Sequence, residues 1–273
     1  MLARAAPLVL FGAGKMGGAM LEAWLERGLE AVGVTIIDPG LPPERAEQWH
    51  RRGARVFAAV EEAGGEPPRT LVLAVKPQSM DEALPTAALL AGPRTLVLSV
   101  AAGIRLQRLA EVFGVTQPIV RIMSNTPAQV GAGMSVACAN TAIDRAARER
   151  VDALLSAIGL VDWVDDEDLM DAVTAVSGSG PAYVFLLAEA LAVAGRAAGL
   201  PSALAERLAR QTVVGGGALL AASREPAARL RENVTSPGGT TAAALSVLMA
   251  DEAFQRLLTE TVIAARDRSI ALR

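Results

Sequence analysis

The alternation of short apolar runs with helical patterns most constrains the fold of this 273-residue chain. In the first half we predict strands at residues 7–11, 34–37, 55–58, 70–75, 95–99, 119–123 and 134–139. Helices are predicted at residues 15–27, 43–52, 80–90, 105–112 and 145–158. Apolar strands that alternate with helices are typical of a parallel sheet covered on both faces. The first half is therefore predicted to be a Rossmann-type, doubly wound α/β domain.

The pattern changes after the acidic segment at residues 165–168. No strand-like run follows it, and helical periodicity covers residues 169–176, 182–198, 203–221 and 241–272. We accordingly predict two domains, a dinucleotide-binding domain at residues 1–163 and an all-helical domain at residues 164–273.

Charge and apolar content argue against several kinds of partner. The net charge is −3 and no basic run occurs, which argues against a nucleic-acid-binding surface. The longest apolar stretch, residues 182–194, contains Glu189 and is shorter than the ~20 residues that cross a bilayer. We expect a soluble, cytoplasmic protein that binds neither nucleic acid nor a membrane.

Side chains suited to catalysis are scarce. The chain has one cysteine, Cys138, and one histidine, His50, so no zinc site of such ligands can be assembled and no metal is expected. His50 lies in a charged run and is interpreted as a solvated helix residue, not as part of a catalytic triad. No lysine follows Lys76. Chemistry therefore has to rely on hydroxyls, backbone donors, carboxylates or a cofactor.

The segment G-A-G-K-M-G places Gly12, Gly14 and Gly17 in the spacing of a dinucleotide-binding loop. It follows a predicted strand, opens a predicted helix, and precedes Asp38 by about 20 residues, the position of a ribose-binding carboxylate. Gly12 would make the tight turn, Gly14 would admit the pyrophosphate, and Gly17 would let helix and strand pack closely. We predict a nicotinamide dinucleotide as the cofactor.

Asp38 allows two interpretations. A carboxylate at this position accepts the ribose hydroxyls and repels a 2′-phosphate, which favours NADH over NADPH. Asp38-Pro39-Gly40 is equally an ordinary turn sequence after a strand.

Two further loops follow predicted strands, A-V-K-P-Q at residues 74–78 and S-N-T-P-A at residues 124–128. Ligands of open α/β sheets lie beyond the carboxyl ends of the strands, so both loops are expected near the nicotinamide side. The alternatives are that Lys76 is a plain surface lysine and that Asn125-Thr126-Pro127 is a plain turn.

The segment N-V-T-S-P-G-G-T-T at residues 233–241 surrounds two glycines with four hydroxyl side chains and opens into a helical run. A glycine turn and a helix start together favour an anion such as a carboxylate or phosphate. The alternative is an ordinary helix N-cap preceded by a turn. A cap needs only one hydroxyl, so we favour the ligand site.

The segment S-G-S-G-P-A-Y at residues 177–183 also leads from glycines and hydroxyls into a helix. Its glycines suit a tight helix–helix crossing, and that role is compatible with a place in the wall of a site.

These motifs, with S-V-A-A-G at residues 99–103 and R-I-M-S-N-T-P at residues 121–127, resemble the Δ1-pyrroline-5-carboxylate reductases essentially from end to end. The resemblance implies NAD(P)H-dependent reduction of the cyclic imine Δ1-pyrroline-5-carboxylate to L-proline by hydride transfer, the final step of proline biosynthesis. It also implies that the helical domain dimerises and carries the substrate site, and that the homodimer assembles further, into a decamer.

The resemblance assigns roles by motif position. The substrate carboxylate would be held by Ser236, Gly238, Gly239, Thr240 and Thr241. The hydroxyl of Thr241 would also face the ring nitrogen, and Ser236 and Thr241 are the implied catalytic residues. The implied cofactor-binding residues are Gly12, Gly14, Lys15, Met16, Gly17, Asp38, Ala74, Val75, Lys76, Pro77, Asn125 and Thr126.

Two positions depart from the family pattern. Asp38 stands where members that prefer NADPH usually carry neutral or basic residues, and Lys15 stands where asparagine is more common. The expected cofactor is NADPH or NADH, and Asp38 favours NADH.

Two other classes stay open at this point. A β-hydroxyacid dehydrogenase also joins a Rossmann domain to helices, but it relies on a lysine in the helical part, where this chain has none. A dinucleotide-binding regulator without turnover would not need the loop at residues 233–241.

The implied reduction needs few catalytic side chains. An imine bound as an iminium is already an electrophile, so reduction requires mainly proximity and orientation.

Overall fold

The computed structural model describes residues 2–273. Its strands are β1 (Leu8–Phe11), β2 (Val34–Ile37), β3 (Arg55–Phe57), β4 (Thr70–Leu73), β5 (Leu96–Ser99), β6 (Ile119–Met123), β7 (Gly133–Ala139) and β8 (Gly159–Trp163). Its helices are α1 (Lys15–Glu26), α2 (Pro43–Arg51), α3 (Val60–Ala63), α4 (Met80–Ala88), α5 (Leu106–Phe113), α6 (Arg145–Leu155), α7 (Met170–Val173), α8 (Gly180–Ala197), α9 (Ser202–Ala222), α10 (Ala227–Asn233), α11 (Thr240–Leu248) and α12 (Ala253–Ile270).

The strands form one sheet in the order β3-β2-β1-β4-β5-β6-β7-β8, which confirms the predicted Rossmann-type class. β1 lies between β2 and β4 and pairs in parallel with both, so the strand order reverses at β1. The carboxyl ends of β1 and β4 flank this switch point, where open α/β sheets bind ligands. The residues that follow those ends are Gly12 and Ala74.

Apolar side chains cover both faces of the sheet. On one face Trp24 of α1 and Trp49 of α2 pack in a cluster with Leu10 and Ile36, and all four side chains are fully buried. On the other face α4 contributes the buried Leu84. Because both faces are covered, the central strands are apolar throughout and show no alternation.

One pair of strands departs from the parallel arrangement, since β6 and β7 are antiparallel. The 3-10 segment Thr126–Val130 and its flanks connect them, and a connection this short cannot make the crossover of a parallel pair. β8, which pairs with β7, was not predicted. Residues of β8 alternate between exposed and half-buried, so the strand carries little apolar signal.

The chain divides into two units. The first comprises the residues up to Gly178 together with Arg266–Arg273, and the second is Ser179–Ala265. This division falls after the predicted boundary at residues 163 and 164, because part of the following segment packs on the sheet. Met170, for example, is buried in a cluster with Val136 and Cys138 of β7. The domain limits drawn from the sequence stay a prediction.

The second unit is helical. α8 and α9 approach closely, since a Cβ on Gly195 would lie 3.2 Å from the Cβ of Ala205. The helical periodicity predicted over residues 241–272 corresponds to two helices, because Asp251 and Glu252 have φ values of 50° and 54°. An L-residue in this left-handed region does not continue a right-handed helix, so α11 and α12 are separate. Helix α10 was not predicted either.

Many large apolar side chains of the second unit are exposed in the single chain. Phe185 and Leu186 are each 63% exposed, and α8 and α9 also expose Val184, Leu187, Leu191, Val193, Leu208, Val214, Leu219 and Leu220. The helical residues Glu167–Ala197 are long and apolar enough to cross a membrane. A single helix that meets these two criteria is weak evidence for a membrane span. Extended apolar surface of this kind marks an interaction site.

Candidate active site

The glycine-rich loop leads from β1 into α1. Gly12 has a φ of 92°, which favours glycine, and its amide donates to the Ile37 carbonyl at 2.9 Å. A Cβ on Gly12 would lie 2.8 Å from the carbonyl carbon of Ala74, just after β4. A Cβ on Gly17 would lie 2.3 Å from the Gly12 carbonyl oxygen. The turn fits between β1, β4 and α1 only because both residues lack a side chain.

Gly14 is in a different environment. Among the described residues, no heavy atom outside its immediate chain neighbours lies within 4 Å of the position its Cβ would take. Gly14 precedes α1, and within the described chain no side chain caps this helix start. The first amides of α1 have no intrahelical partner and lie at the positive end of the helix dipole. This arrangement fits the pyrophosphate of a dinucleotide.

Asp38, at the end of β2, binds two backbone amides through its carboxylate. Its Oδ2 accepts from the Ala13 amide at 2.7 Å and its Oδ1 from the Gly40 amide at 2.8 Å. The bond to Gly40 belongs to the turn, and the bond to Ala13 connects β2 with the glycine-rich loop. A carboxylate has about four acceptor positions, so these bonds leave room for ribose hydroxyls. The turn and the ribose interpretations are therefore compatible.

A cleft of about 570 Å³ lies at the switch point. The predicted cofactor residues that line it are Gly12, Gly14, Asp38, Ala74, Val75 and Lys76. Other parts of the wall were not predicted; Ala58, Ala59, Val60 and Glu61 after β3 and Ser79, Glu82, Ala83 and Thr86 around α4 contribute them. The residues after β3 could have been predicted from their position, because the carboxyl ends of parallel strands meet at one edge of the sheet.

Six predicted cofactor residues do not line this cleft, and four of them belong to the glycine-rich loop and to the segment after β4. Lys15 is exposed and lines a separate surface groove with Arg45. Met16 packs against the apolar cluster of the sheet, and Gly17 is buried within the loop. Pro77 is exposed at the start of the 3-10 turn Pro77–Ser79. Their contact with a cofactor stays a prediction.

Asn125 and Thr126 follow β6, and only Asn125 is engaged by other segments. Asn125 Oδ1 accepts from the Met134 amide at 2.9 Å, and Nδ2 lies 3.2 Å from both the carbonyl oxygen and the Oγ of Ser177. Thr126 is exposed and begins the 3-10 segment. The plain-turn interpretation is incomplete, because the Asn125 side chain joins this loop to two other parts of the first unit.

The loop predicted to hold a carboxylate lies in the second unit, between α10 and α11. Gly238 has a φ of 69°, and the Gly239 amide donates to the Ser236 carbonyl at 3.0 Å. A Cβ on Gly239 would lie 2.4 Å from Ser236 Oγ, so the serine hydroxyl lies against this glycine. The Gly239 amide is therefore occupied within the loop. The amides in the first turn of helix α11 are the backbone donors left for a ligand.

The hydroxyls of this loop do not cap the helix. In the described residues, no side chain caps α11, which starts after Gly239. Thr235 donates its hydroxyl to the Arg231 carbonyl at 2.6 Å and thus faces the preceding helix. Ser236 and Thr240 are exposed, and Thr241 is half-buried. The helix start and these three hydroxyls are the arrangement that suits a bound anion.

Cys138 lies on β7, outside these loops. Among the described residues, no group of three or more His, Cys, Asp or Glu side chains is arranged to hold a metal. Cys138 is buried on β7, and burial, followed by the nearby Glu167, raises the pKa of its thiol. A thiol that stays protonated is a poor nucleophile.

A cleft at the switch point of the sheet and an uncapped helix start behind a glycine turn fit a nicotinamide-dependent oxidoreductase. Residues 7–103 match the family model described as NADP oxidoreductase, coenzyme F420-dependent. Residues 167–272 match the model described as pyrroline-5-carboxylate reductase dimerisation.

The chain is also similar to individual reductases over nearly its whole length. It is 39% identical to the pyrroline-5-carboxylate reductase of Pseudomonas aeruginosa, over 97% of this chain and 96% of that one. It is 48% identical to the enzyme of the same name from Synechocystis sp., over 93% and 94% of the two chains. The chain belongs to the pyrroline-5-carboxylate reductase family.

Solved structures agree with this membership. The pyrroline-5-carboxylate reductase of Coxiella burnetii matches with a TM-score of 0.90 and 30% identity, over 98% of both chains. The Plasmodium falciparum pyrroline carboxylate reductase with NADP bound matches with a TM-score of 0.81 and 28% identity, also over 98% of both. The dimerisation match covers the exposed apolar helices, so self-association accounts for their exposure.

Proposed function

We propose that this chain reduces Δ1-pyrroline-5-carboxylate to L-proline by hydride transfer from NAD(P)H, the final step of proline biosynthesis. The observation that carries the proposal is the uncapped start of α11 behind the glycine turn, in a member of this reductase family that also has a dinucleotide cleft. A cyclic imine that bears a carboxylate requires one site for the anion and one for the hydride donor.

The substrate carboxylate is assigned to the loop that precedes α11. Ser236 and Thr240 supply hydroxyl donors, and Gly238 and Gly239 shape the turn. Because the Gly239 amide binds the Ser236 carbonyl, Gly239 acts by leaving room. The first amides of α11 add donors and the favourable end of the helix dipole.

Thr241 is assigned to the ring nitrogen of the substrate. Its half-buried hydroxyl belongs to the first turn of α11, next to the donors for the carboxylate. Bound NAD(P)H supplies a hydride to the imine carbon. The nitrogen of an iminium substrate already carries its proton, so the C=N bond becomes an amine without a further proton. Thr241 and Ser236 consequently orient the substrate, and no side chain is an obligatory general acid.

NADH is proposed as the preferred cofactor. The cleft is lined by three carboxylates, those of Asp38, Glu61 and Glu82, and by one cation, Lys76. A 2′-phosphate carries negative charge, so its electrostatic interaction with these carboxylates is unfavourable. The ribose of NADH brings hydroxyls that can donate to Asp38.

We place the reductase in the cytoplasm, as a homodimer that assembles further, into a decamer, and binds neither nucleic acid nor a membrane. The exposed apolar helices support self-association, and the net charge of −3 gives no support for a nucleic-acid partner. The decamer rests on the family resemblance. Light scattering after gel filtration, with the 28.2-kDa chain as the unit, measures the number of subunits.

A thermal-shift experiment tests the substrate site. L-proline in the presence of NAD⁺ is expected to raise the melting temperature, because a ligand that binds only the native state stabilises it. Prolinamide, which lacks the carboxylate, is the matched control and is expected to have little effect. Equal shifts with both compounds, or none with either, would contradict the assignment of the carboxylate to this loop.

A further inference from the structure

We infer that Asn125 is a positioning residue, which holds the π-helical turn Thr174–Gly178 at the carboxyl edge of the sheet as a wall of the nicotinamide side of the cofactor site. Its effect on catalysis rests on the proposed reductase function, whereas the contact itself can be tested without turnover.

The Asn125 side chain uses both ends of its amide. The acceptor, Oδ1, binds the amide of Met134 at the start of β7, and the donor, Nδ2, faces the carbonyl oxygen and Oγ of Ser177. The partners are 9 and 52 residues away along the chain. A half-buried amide that joins three segments restrains all of them, and a buried polar group without its partner is costly.

The turn itself is unusual. It is a π-helical segment between α7 and α8, and such turns occur frequently at functional sites. A Cβ on Gly178 would lie 2.2 Å from the Met123 Cε, at the end of β6. The close approach expected for the S-G-S-G motif therefore occurs here, but against a strand end of the sheet and not against another helix.

The segment before the turn is fastened independently. Glu167 pairs at 2.9 Å with Arg121, which is 3% exposed. Asp171 is buried and accepts hydrogen bonds from the Ser269 hydroxyl, at 2.7 Å, and from the Arg273 guanidinium. Loss of the Asn125 contact is therefore expected to release the turn without unfolding the first unit.

The position of the turn indicates its role. The proposed ribose contact of Asp38 lies on the β2 side of the switch point, so a bound dinucleotide would extend across it towards β4, β5 and β6. Asn125 follows β6, and the turn lies against it. The turn thus lies where the nicotinamide ring is expected, and a shift of about 1 Å in such a wall can reduce a rate ~100-fold.

The test compares Asn125→Asp with the exposed Gln129→Ala of the same loop. Asn125→Asp keeps an oxygen for the Met134 amide but faces the two Ser177 oxygens without a donor. We expect faster amide hydrogen exchange in residues 174–181, unchanged exchange in residues 12–18, and a Kd for NADH within about threefold of wild type. With the imine substrate, kcat should fall about tenfold or more at a similar KM. Ser177→Ala, which keeps the carbonyl acceptor, should show a smaller effect in the same direction.

Three results would overturn the inference. Unchanged exchange in residues 174–181 together with a weakened Kd would make Asn125 a direct cofactor ligand. Faster exchange throughout the sheet would make it a general structural residue. Unchanged values in all measurements would give it no role. Exchange and cofactor affinity do not require turnover, so an inactive wild-type protein would refute the proposed function while this test still stands.

Discussion

The carboxylate of Asp38 accepts a hydrogen bond from the Ala13 amide at 2.7 Å, which joins the end of β2 to the glycine-rich loop. The same carboxylate fixes the turn at Gly40. Asp38 therefore shapes the loop, and in the proposed cofactor site it also places a negative charge where a 2′-phosphate would bind. We propose that this one side chain contributes both to loop stability and to cofactor choice.

Asp38→Asn should separate these two effects. The substitution removes the charge but keeps one oxygen for the loop, so we expect the ratio of kcat/KM for NADPH to that for NADH to rise about tenfold, or ~1.4 kcal/mol. Glu82→Gln is the comparison, because it removes a charge from the same cleft without a bond to the loop. It should change the ratio less and leave Tm unchanged. An unchanged ratio in Asp38→Asn would make Asp38 a turn residue only.

Gly14 and Gly17 form a matched pair for the glycine-rich loop. Gly14→Ala places its Cβ in open space, so Tm should stay near wild type while the Kd for NADH rises about tenfold or more, since the pyrophosphate loses its room. Gly17→Ala places its Cβ 2.3 Å from a carbonyl oxygen and should lower Tm markedly. Thermal unfolding and cofactor titration measure both. A Gly14→Ala variant with unchanged affinity would remove the pyrophosphate from this position.

Thr241→Ala tests the proposed orientation of the ring nitrogen. We expect kcat to fall about tenfold or more with little change in Tm, because the hydroxyl acts on the bound substrate. Thr259→Ala is the control, since that exposed hydroxyl donates to a carbonyl of its own helix at 2.9 Å. Steady-state kinetics decide the matter: a Thr241→Ala enzyme as fast as wild type would refute the assigned role.

The buried carboxyl of Asp171 is expected to make the stability of the folded protein depend on pH. Burial alone would raise the pKa of this carboxyl, but hydrogen bonds from Arg273 and Ser269 lower it overall. A carboxyl with a lowered folded pKa stabilises the fold above its unfolded pKa of about 3.9 and loses this contribution as the pH falls through the folded value. Asp171→Asn should therefore lower Tm near pH 7, and its difference from wild type should narrow below about pH 4.

The control for this prediction is Asp81→Asn, which removes an exposed carboxylate paired with Arg108. Exposed pairs contribute about 0–1 kcal/mol, so its Tm should stay close to wild type throughout. A Tm difference for Asp171→Asn that is the same at pH 7 and pH 3 would contradict the assignment of the stabilisation to the ionised carboxyl.

The class of fold could be predicted because strands covered on both faces are apolar throughout and because Gly12, Gly14 and Gly17 have a recognisable spacing. Strand β8 and the helix break at Asp251 could not be predicted from the sequence. β8 is short and half-covered, and the break depends on two residues in a left-handed conformation that their side chains do not require. Local patterns carry little information about such features.

Site residues could be predicted where the backbone conformation of a motif requires them. They could not be predicted where contacts between distant segments of the chain determine their role. The open space at Gly14 follows from the motif, whereas the Asn125 contact with Ser177 joins residues 52 positions apart. Likewise, the sequence offers four hydroxyls before α11, but only the folded loop shows that Thr235 faces the Arg231 carbonyl. Long-range pairing of this kind has no local signal.

The most direct test of the central claim is the oxidation of NADH and of NADPH at 340 nm, measured side by side with purified protein and Δ1-pyrroline-5-carboxylate. The account predicts substrate-dependent turnover with a higher kcat/KM for NADH. Turnover that favours NADPH would keep the reductase and contradict the role of Asp38 in cofactor choice. No turnover with either cofactor would contradict the proposed function itself.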